Sequence, residues 1–155
     1  YGIGVEQNWE EAVHWYRKAA EQGDVSAQCN LGWCCENGHG LPQSWEDAVF
    51  WYRKAAEGGS DTAQCNLAWC CKNGKGVAQS REEAILWYRR AAEQGNPLAW
   101  QNLGEMAEKG LGMEKDLAKA LEYYQNALAA QKNPDESSSG LEEAVRRVKG
   151  LLGEK

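Results

Sequence analysis

Cysteine, histidine and tryptophan carry most of the chemistry this sequence could perform. Six cysteines recur as Cys29/Cys65, Cys34/Cys70 and Cys35/Cys71. Neighbours such as Cys34 and Cys35 point about 100° apart on a helix and chelate poorly, and no His or Asp is placed to finish a tetrahedron. No metal site is expected. Adjacent-residue disulfides fit a helix equally badly. Cys34, Cys35, Cys70 and Cys71 read as buried small apolar residues, and Cys29 and Cys65 as exposed thiols that leave oxidation to one another open. His14 and His39 stand beside no predicted nucleophile with an orienting carboxylate, so acyl-transfer chemistry is not supported, and His39 reads as solvated. The Gly-x-Gly segments follow no strand and precede no Gly-Lys-Ser/Thr, so they are not phosphate cradles. No cofactor is implied, and the chain reads as a non-enzyme.

The remaining chemistry is recognition by aromatic surface, and what positions it is a repeat. The 155 residues are 43% hydrophobic and 26% charged, which suits a soluble globular chain. No apolar run approaches ~18 residues, so no membrane insertion is coded. The net charge of -6, with no Lys/Arg block, argues against nucleic acid as a partner. The chain opens at Tyr1-Gly2 and reads as a processed or excised piece, which leaves its compartment open, with a slight lean to a reducing one. Eight Trp and seventeen Gly beside three Pro and one Phe point to a repeated unit. Slid by 36, the sequence locks onto itself: Leu31, Leu67 and Leu103 align, as do Gly38, Gly74 and Gly110. Asp24–Gly59 and Ser60–Gly95 are identical at 22 of 36 positions.

Each unit reads as two helices. Asp24, Ser60 and Asn96 are N-caps of the first, and Pro97 suits a first helical position. Gly38, Gly74 and Gly110 supply the left-handed stop. The second helix opens at Ser44 or Ser80, where Ser80 to Glu83 forms a capping box. Its apolar positions, Ala48, Trp51, Tyr52, Ala55 and Ala56, follow helical spacing. Trp15, Trp51 and Trp87 fall on this core stripe. Trp9 and Trp45 are expected to brace the turn, and Trp100 stays unassigned. On the first helix, Ala27, Leu31 and Cys34 share one side; Cys29, Trp33 and Glu36 lie opposite.

The pattern resembles the Sel1-like repeat, a relative of the tetratricopeptide repeat. The residues carrying it are Ala27, Leu31, Gly32, Gly38, Gly40, Ala48, Trp51, Tyr52, Ala55, Ala56 and Gly59, with their equivalents one period on. Cys35 and Cys71 stand where Tyr is expected, and Ala68 where Gly is. The resemblance implies an all-α, right-handed superhelical α/α solenoid of 36-residue helix-turn-helix repeats. A partial repeat (second helix only) spans 1–23, and full repeats span 24–59, 60–95 and 96–130. A linker covers 131–140 and a C-terminal capping helix 141–155, with an apolar stripe of Leu141, Val145, Val148 and Leu152. Cysteine-rich members of this class bridge first helix to second; here no second helix carries Cys.

The resemblance also implies that first helices line the concave surface, which would set Trp33 and Trp69 side by side in a groove. The expected function is a protein-interaction scaffold or adaptor that holds a partner peptide or helix there. Cys29, Cys65, Glu36, Lys72, Gln101 and Glu105 are the flanking contacts. Packing of each indole on the neighbouring repeat is the competing reading. Two other functions stay open. One is a self-assembling array, a homo-oligomer through the open face of residues 9–19, where Ala12, Trp15, Tyr16 and Ala19 lack a neighbour. The other is a thiol-dependent enzyme or redox protein, which would require a lowered thiol pKa.

Overall fold

The computed structural model describes residues 8–131 and 136–153. Among them are eight helices: α1 (Trp9–Glu21), α2 (Val25–Asn37), α3 (Trp45–Glu57), α4 (Asp61–Asn73), α5 (Arg81–Glu93), α6 (Pro97–Lys109), α7 (Leu117–Ala130) and α8 (Glu136–Leu152). Each packs on the next in chain order, so hairpins pile up in sequence as a repeat requires. Of the chain before Asn8, expected to belong to the partial repeat, nothing lies within the described residues.

Local chemistry sets the boundaries. Asn8, Asp24, Ser44, Ser60, Ser80, Asn96 and Asp116 each accept a backbone N–H of the first turn through the side chain. Such a cap is worth about 1 kcal/mol. The capping box at Ser80 is half formed. Ser80 Oγ accepts from the Glu83 N–H at 3.2 Å. The Glu83 carboxylate turns instead to Arg53 of α3, at 2.9 Å. α2, α4 and α6 end at Gly38, Gly74 and Gly110, all left-handed.

The core is built from the aligned positions. Leu31, Leu67 and Leu103 are fully buried, each stabilising its layer by about 1.5–3 kcal/mol. Gln28 and Gln64 are buried as well, and their amides donate to the Ala20 and Ala56 carbonyls at the end of the preceding helix. Trp100 takes the corresponding place one repeat on and packs on Tyr123 of α7 (ring centroids 5.6 Å apart).

Three expectations change. Trp15 belongs to the core stripe by phase but is 56% exposed, whereas Trp51 is half-buried and Trp87 is 8% exposed. The same gradient runs through its neighbours: Ala12, Tyr16 and Ala19 are half-buried, while Ala48, Tyr52 and Ala55 are sealed. No described helix covers that flank of α1. Secondly, α8 begins at Glu136, inside the stretch read as a linker; residues 132–135 of that stretch lie outside the described residues. Thirdly, the stripe of α8 is rotated: Leu141, Ala144 and Val148 are buried, and Leu152 is exposed.

The loop after each first helix seats on the start of the preceding second helix. Gly76 has φ +66°, and a Cβ there would strike the Trp45 carbonyl oxygen; Gly59 has φ +97° and nothing near it. Gly59→Ala should therefore cost about 1 kcal/mol from backbone conformation alone. Gly76→Ala should cost about 3 kcal/mol or more, because backbone must also move. Urea denaturation of the two variants measures the difference, and equal losses would refute this account of the turn.

Candidate functional site

α2, α4 and α6 lie side by side and form one face. Lys72 of α4 donates to Asn102 Oδ1 (3.2 Å) and pairs with Glu105 (2.9 Å), both on α6. Cys29 of α2 lies near Ser60, the N-cap of α4. Second helices line the opposite face, where Arg53 of α3 meets Glu83 of α5.

On the first-helix face the indoles at 33 and 69 are both half out of the protein and half in it. Trp33 is 41% exposed and Trp69 40%. Each is backed by an indole from the start of the preceding second helix: Trp9 lies 5.6 Å from Trp33, and Trp45 stacks 5.7 Å from Trp69. Such pairs add about 0.5–1.5 kcal/mol beyond buried area. The two readings of these tryptophans therefore coexist. One ring face is held by the neighbouring element and the remainder meets solvent. His39 is not free in solvent as expected. It stacks on Trp9 at 4.6 Å and contacts Trp33 at 4.8 Å. Lys75, one period later, places its ammonium over Trp45. In the next unit the aligned residues are Arg81, Glu105 and Leu111, so the aromatic brackets number two.

Below this surface runs a row of tyrosines whose acid partners sequence reasoning missed. Tyr52, Tyr88 and Tyr124 sit one period apart and are buried. Tyr52 Oη donates to Glu36 at 2.5 Å, and Tyr124 Oη donates to Glu108 at 2.8 Å. The spacing of sixteen residues, twice repeated, was the available signal. At the middle position the acid is replaced by Lys72, which carries donors only. Tyr88 Oη is buried with no hydrogen-bond partner among the described residues. Burial pushes the ionisation of all three phenols upward, so each hydroxyl remains a donor.

The flanking residues divide accordingly. Glu36 is taken by Tyr52. Glu105 is shared by Lys109 (2.7 Å) and Lys72, and those hydrogen bonds hold its carboxyl below the ordinary range, that from Lys109 foremost. Gln101 is exposed. At the far end α8 closes the face. Arg147 grips Glu108 with two hydrogen bonds of 3.1 and 2.9 Å, beside a cleft of about 260 Å³ between α6 and α8. Burial opposes the charge of Glu108, but the donors Arg147 and Tyr124 outweigh it and its pKa is lowered.

The cysteine expectations need one correction. All six are free thiols. Cys29 is half-buried, but Cys65, expected exposed in the groove, is only 4% exposed. Burial pushes Cys65 up to about 12 and raises Cys29 above its ordinary value. That is the opposite of what a thiolate nucleophile needs. No helix among the described residues is long and apolar enough to cross a membrane.

Helical hairpins stacked in register, first helices on one face and second helices on the other, define an α/α solenoid of the tetratricopeptide-like kind. The Sel1 repeat model matches residues 1–24, 25–60, 61–96 and 101–131, and the chain belongs to the Sel1 repeat family. Members of this family are generally protein–protein interaction scaffolds. Among solved structures the chain is similar to a Sel1 repeat protein from Oxalobacter formigenes. The identity is 42% and the TM-score 0.76, over 83% of this chain and 53% of that one. It is also similar to c5321, a protective antigen present in uropathogenic Escherichia coli strains: 38% identity, TM-score 0.79, 83% of this chain and 28% of that one. The chain thus spans about a quarter to a half of these relatives. Helicobacter pylori cysteine rich protein B shares the fold at 21% identity and TM-score 0.63, over 91% of this chain and 99% of that one. Among curated proteins none matches the chain.

The tyrosine row gives a direct expectation. Tyr52→Phe strips Glu36 of its donor and should cost about 1–2 kcal/mol. Tyr88→Phe removes a hydroxyl that bonds nothing described and should lie within about 0.5 kcal/mol of the parent, on either side. Chemical denaturation of both variants decides; a large loss for Tyr88→Phe would mean that its hydroxyl has an acceptor.

Proposed function

We propose that the chain is a non-catalytic scaffold that holds a partner peptide or helix along its first helices, on the concave side of the superhelix. The observation that carries this is the pair of half-exposed indoles, Trp33 and Trp69, each fixed from behind by a second indole. A side chain already immobilised loses little entropy on binding, and large rigid aromatic surface is what binding hot spots use. Glu36, Lys72, Gln101, Glu105 and the half-buried Cys29 flank these anchors. Cys65 is set aside because it is sealed. The double variant Trp33→Ala/Trp69→Ala should keep its helical circular dichroism while a partner retained by the parent is lost by about tenfold or more. Loss of helix content instead would place both indoles in the core and end this reading.

A second reading has its own observation: the uncovered flank of α1, where Trp15 is 56% exposed. An apolar flank of this kind pairs readily with a second copy through the same surface. Sedimentation velocity should then show concentration-dependent association that Trp15→Lys abolishes; a parent chain monomeric at every concentration sinks this reading.

A further inference from the structure

A repeated ionic position joins one second helix to the next. Arg53 of α3 pairs with Glu83 of α5 at 2.9 Å, and Glu83 also accepts from Trp87 Nε1 at 3.4 Å. One period earlier the aligned residues are Arg17 and Asp47; one period later they are Arg89 and Lys119. Asp47 and Arg17 both act on the Cys35 thiol, as Glu83 and Arg53 act on Cys71, so the constellation keeps its place from one interface to the next. At the third interface the acid has become a cation, and Gln79 has become Lys115 beside it. Arg89 and Lys119 line one cleft of about 620 Å³, bounded by α5, the loop before α7, the first turn of α7 and Leu152 at the end of α8. Neither joins an ion pair among the described residues. Lys119 has only the ring of Tyr123, 6.0 Å from its ammonium.

We infer that this cleft binds a carboxylate carried on an apolar body. The ligand's carboxylate stands in for the acid that Glu83 supplies one interface earlier, and the planar fork of Arg89 takes it at two points. Met113 and Leu117, both partly buried, and the exposed Leu152 wall the same cleft and receive the apolar body. Two acids also line it. Asp116 is committed to the helix cap, where Oδ1 accepts from the Lys119 N–H at 2.9 Å. With Glu114 counted, three cations, Arg89, Lys115 and Lys119, face two acids. That balance suits a single negative charge and disfavours a dianion such as phosphate. The volume is that of a small-ligand pocket. The cleft lies among the second helices, on the opposite face from Trp33 and Trp69, and does not rest on the scaffold reading.

The test is an NMR titration of the whole chain, read at the methyl groups of Met113, Leu117 and Leu152. Octanoate offers a free acid and N-acetylleucine the end of a peptide chain. N-acetylleucinamide is the uncharged control, and inorganic phosphate is the anion without an apolar body. Saturable shifts are expected with one or both acids and with neither control, and the tighter acid identifies the source. Lys119→Glu restores the acid of the earlier interfaces and gives Arg89 an internal partner, so it should abolish binding while the helical circular dichroism stays unchanged. Arg89→Gln should weaken binding by about fivefold, the share of one exposed charge pair. Absent or non-saturable shifts, equal shifts with N-acetylleucinamide or phosphate, or undiminished binding by Lys119→Glu overturn the inference. The Trp33→Ala/Trp69→Ala variant should take the acids as the parent does, so the scaffold reading stands or falls separately.

Discussion

A tyrosine ring pressed against a helix backbone holds each hairpin closed, and the rest of the stack is built on that contact. A Cβ placed at Gly32 would stand 2.7 Å from the ring of Tyr52, and one at Gly104 2.6 Å from the ring of Tyr124. Without side chains at those points the two helices approach closely, and the aromatic ring fills what would otherwise be a void. The approach brings the phenol to the far side of the first helix, where it meets Glu36 or Glu108. Packing and polarity are thus coupled: the ring closes the hairpin and its hydroxyl fixes an acid on the outer face. In the middle repeat both partners of the tyrosine change at once, Gly to Ala68 and Glu to Lys72. The ring remains fully buried, so apolar contact suffices for the fold and the hydrogen bond is dispensable to it.

A stack of such hairpins has the same interface on either side of every unit, so its ends must differ from its middle. At the C-terminal end α8 supplies what a further first helix would: Leu141, Ala144 and Val148 to α7, and Arg147 to Glu108. The ion pair is half solvated, since the Arg147 side chain is 53% exposed, and such pairs contribute at most about 1 kcal/mol. Apolar burial therefore holds α8 in place and the charges set its register. The described part of α1 has no comparable cover, which is why burial rises from Trp15 to Trp87 at one repeated position.

Much of this was legible in the sequence, because periodicity and capping are local or nearly so. The 36-residue spacing, the N-caps from Asp24 to Asn96 and the glycine stops need only the chain itself. What escaped depends on the third dimension. Cys65 lies on the outward side of a single helix, and only the packed fold shows that this position is sealed. His39 looked solvated in a glycine turn because nothing in the chain nearby announces Trp9, thirty residues earlier. The start of α8 was masked by a Pro-Asp-Glu-Ser-Ser-Ser run whose composition suggests a linker. The tyrosine–glutamate pairs were visible as a spacing, but the equivalence of Glu36, Lys72 and Glu108 acquires meaning only once a hydroxyl is found without an acceptor.

That equivalence shows how a repeat can change its surface while keeping its frame. Glu36 and Glu108 bind inward to a tyrosine of their own unit, which anchors a charge without joining repeats. Lys72 binds outward to Asn102 and Glu105 of the next unit, which joins repeats at the expense of the tyrosine. One substitution thus converts a bond within a hairpin into a bond between hairpins and reverses the sign of the charge. The penalty falls on a single buried hydroxyl, about 1–3 kcal/mol if left unpaired. A frame held by rings, leucines and caps tolerates that loss, whereas a frame dependent on the polar bond would not. Recognition and stability can therefore vary separately along the first-helix face, and the middle repeat is where they do so.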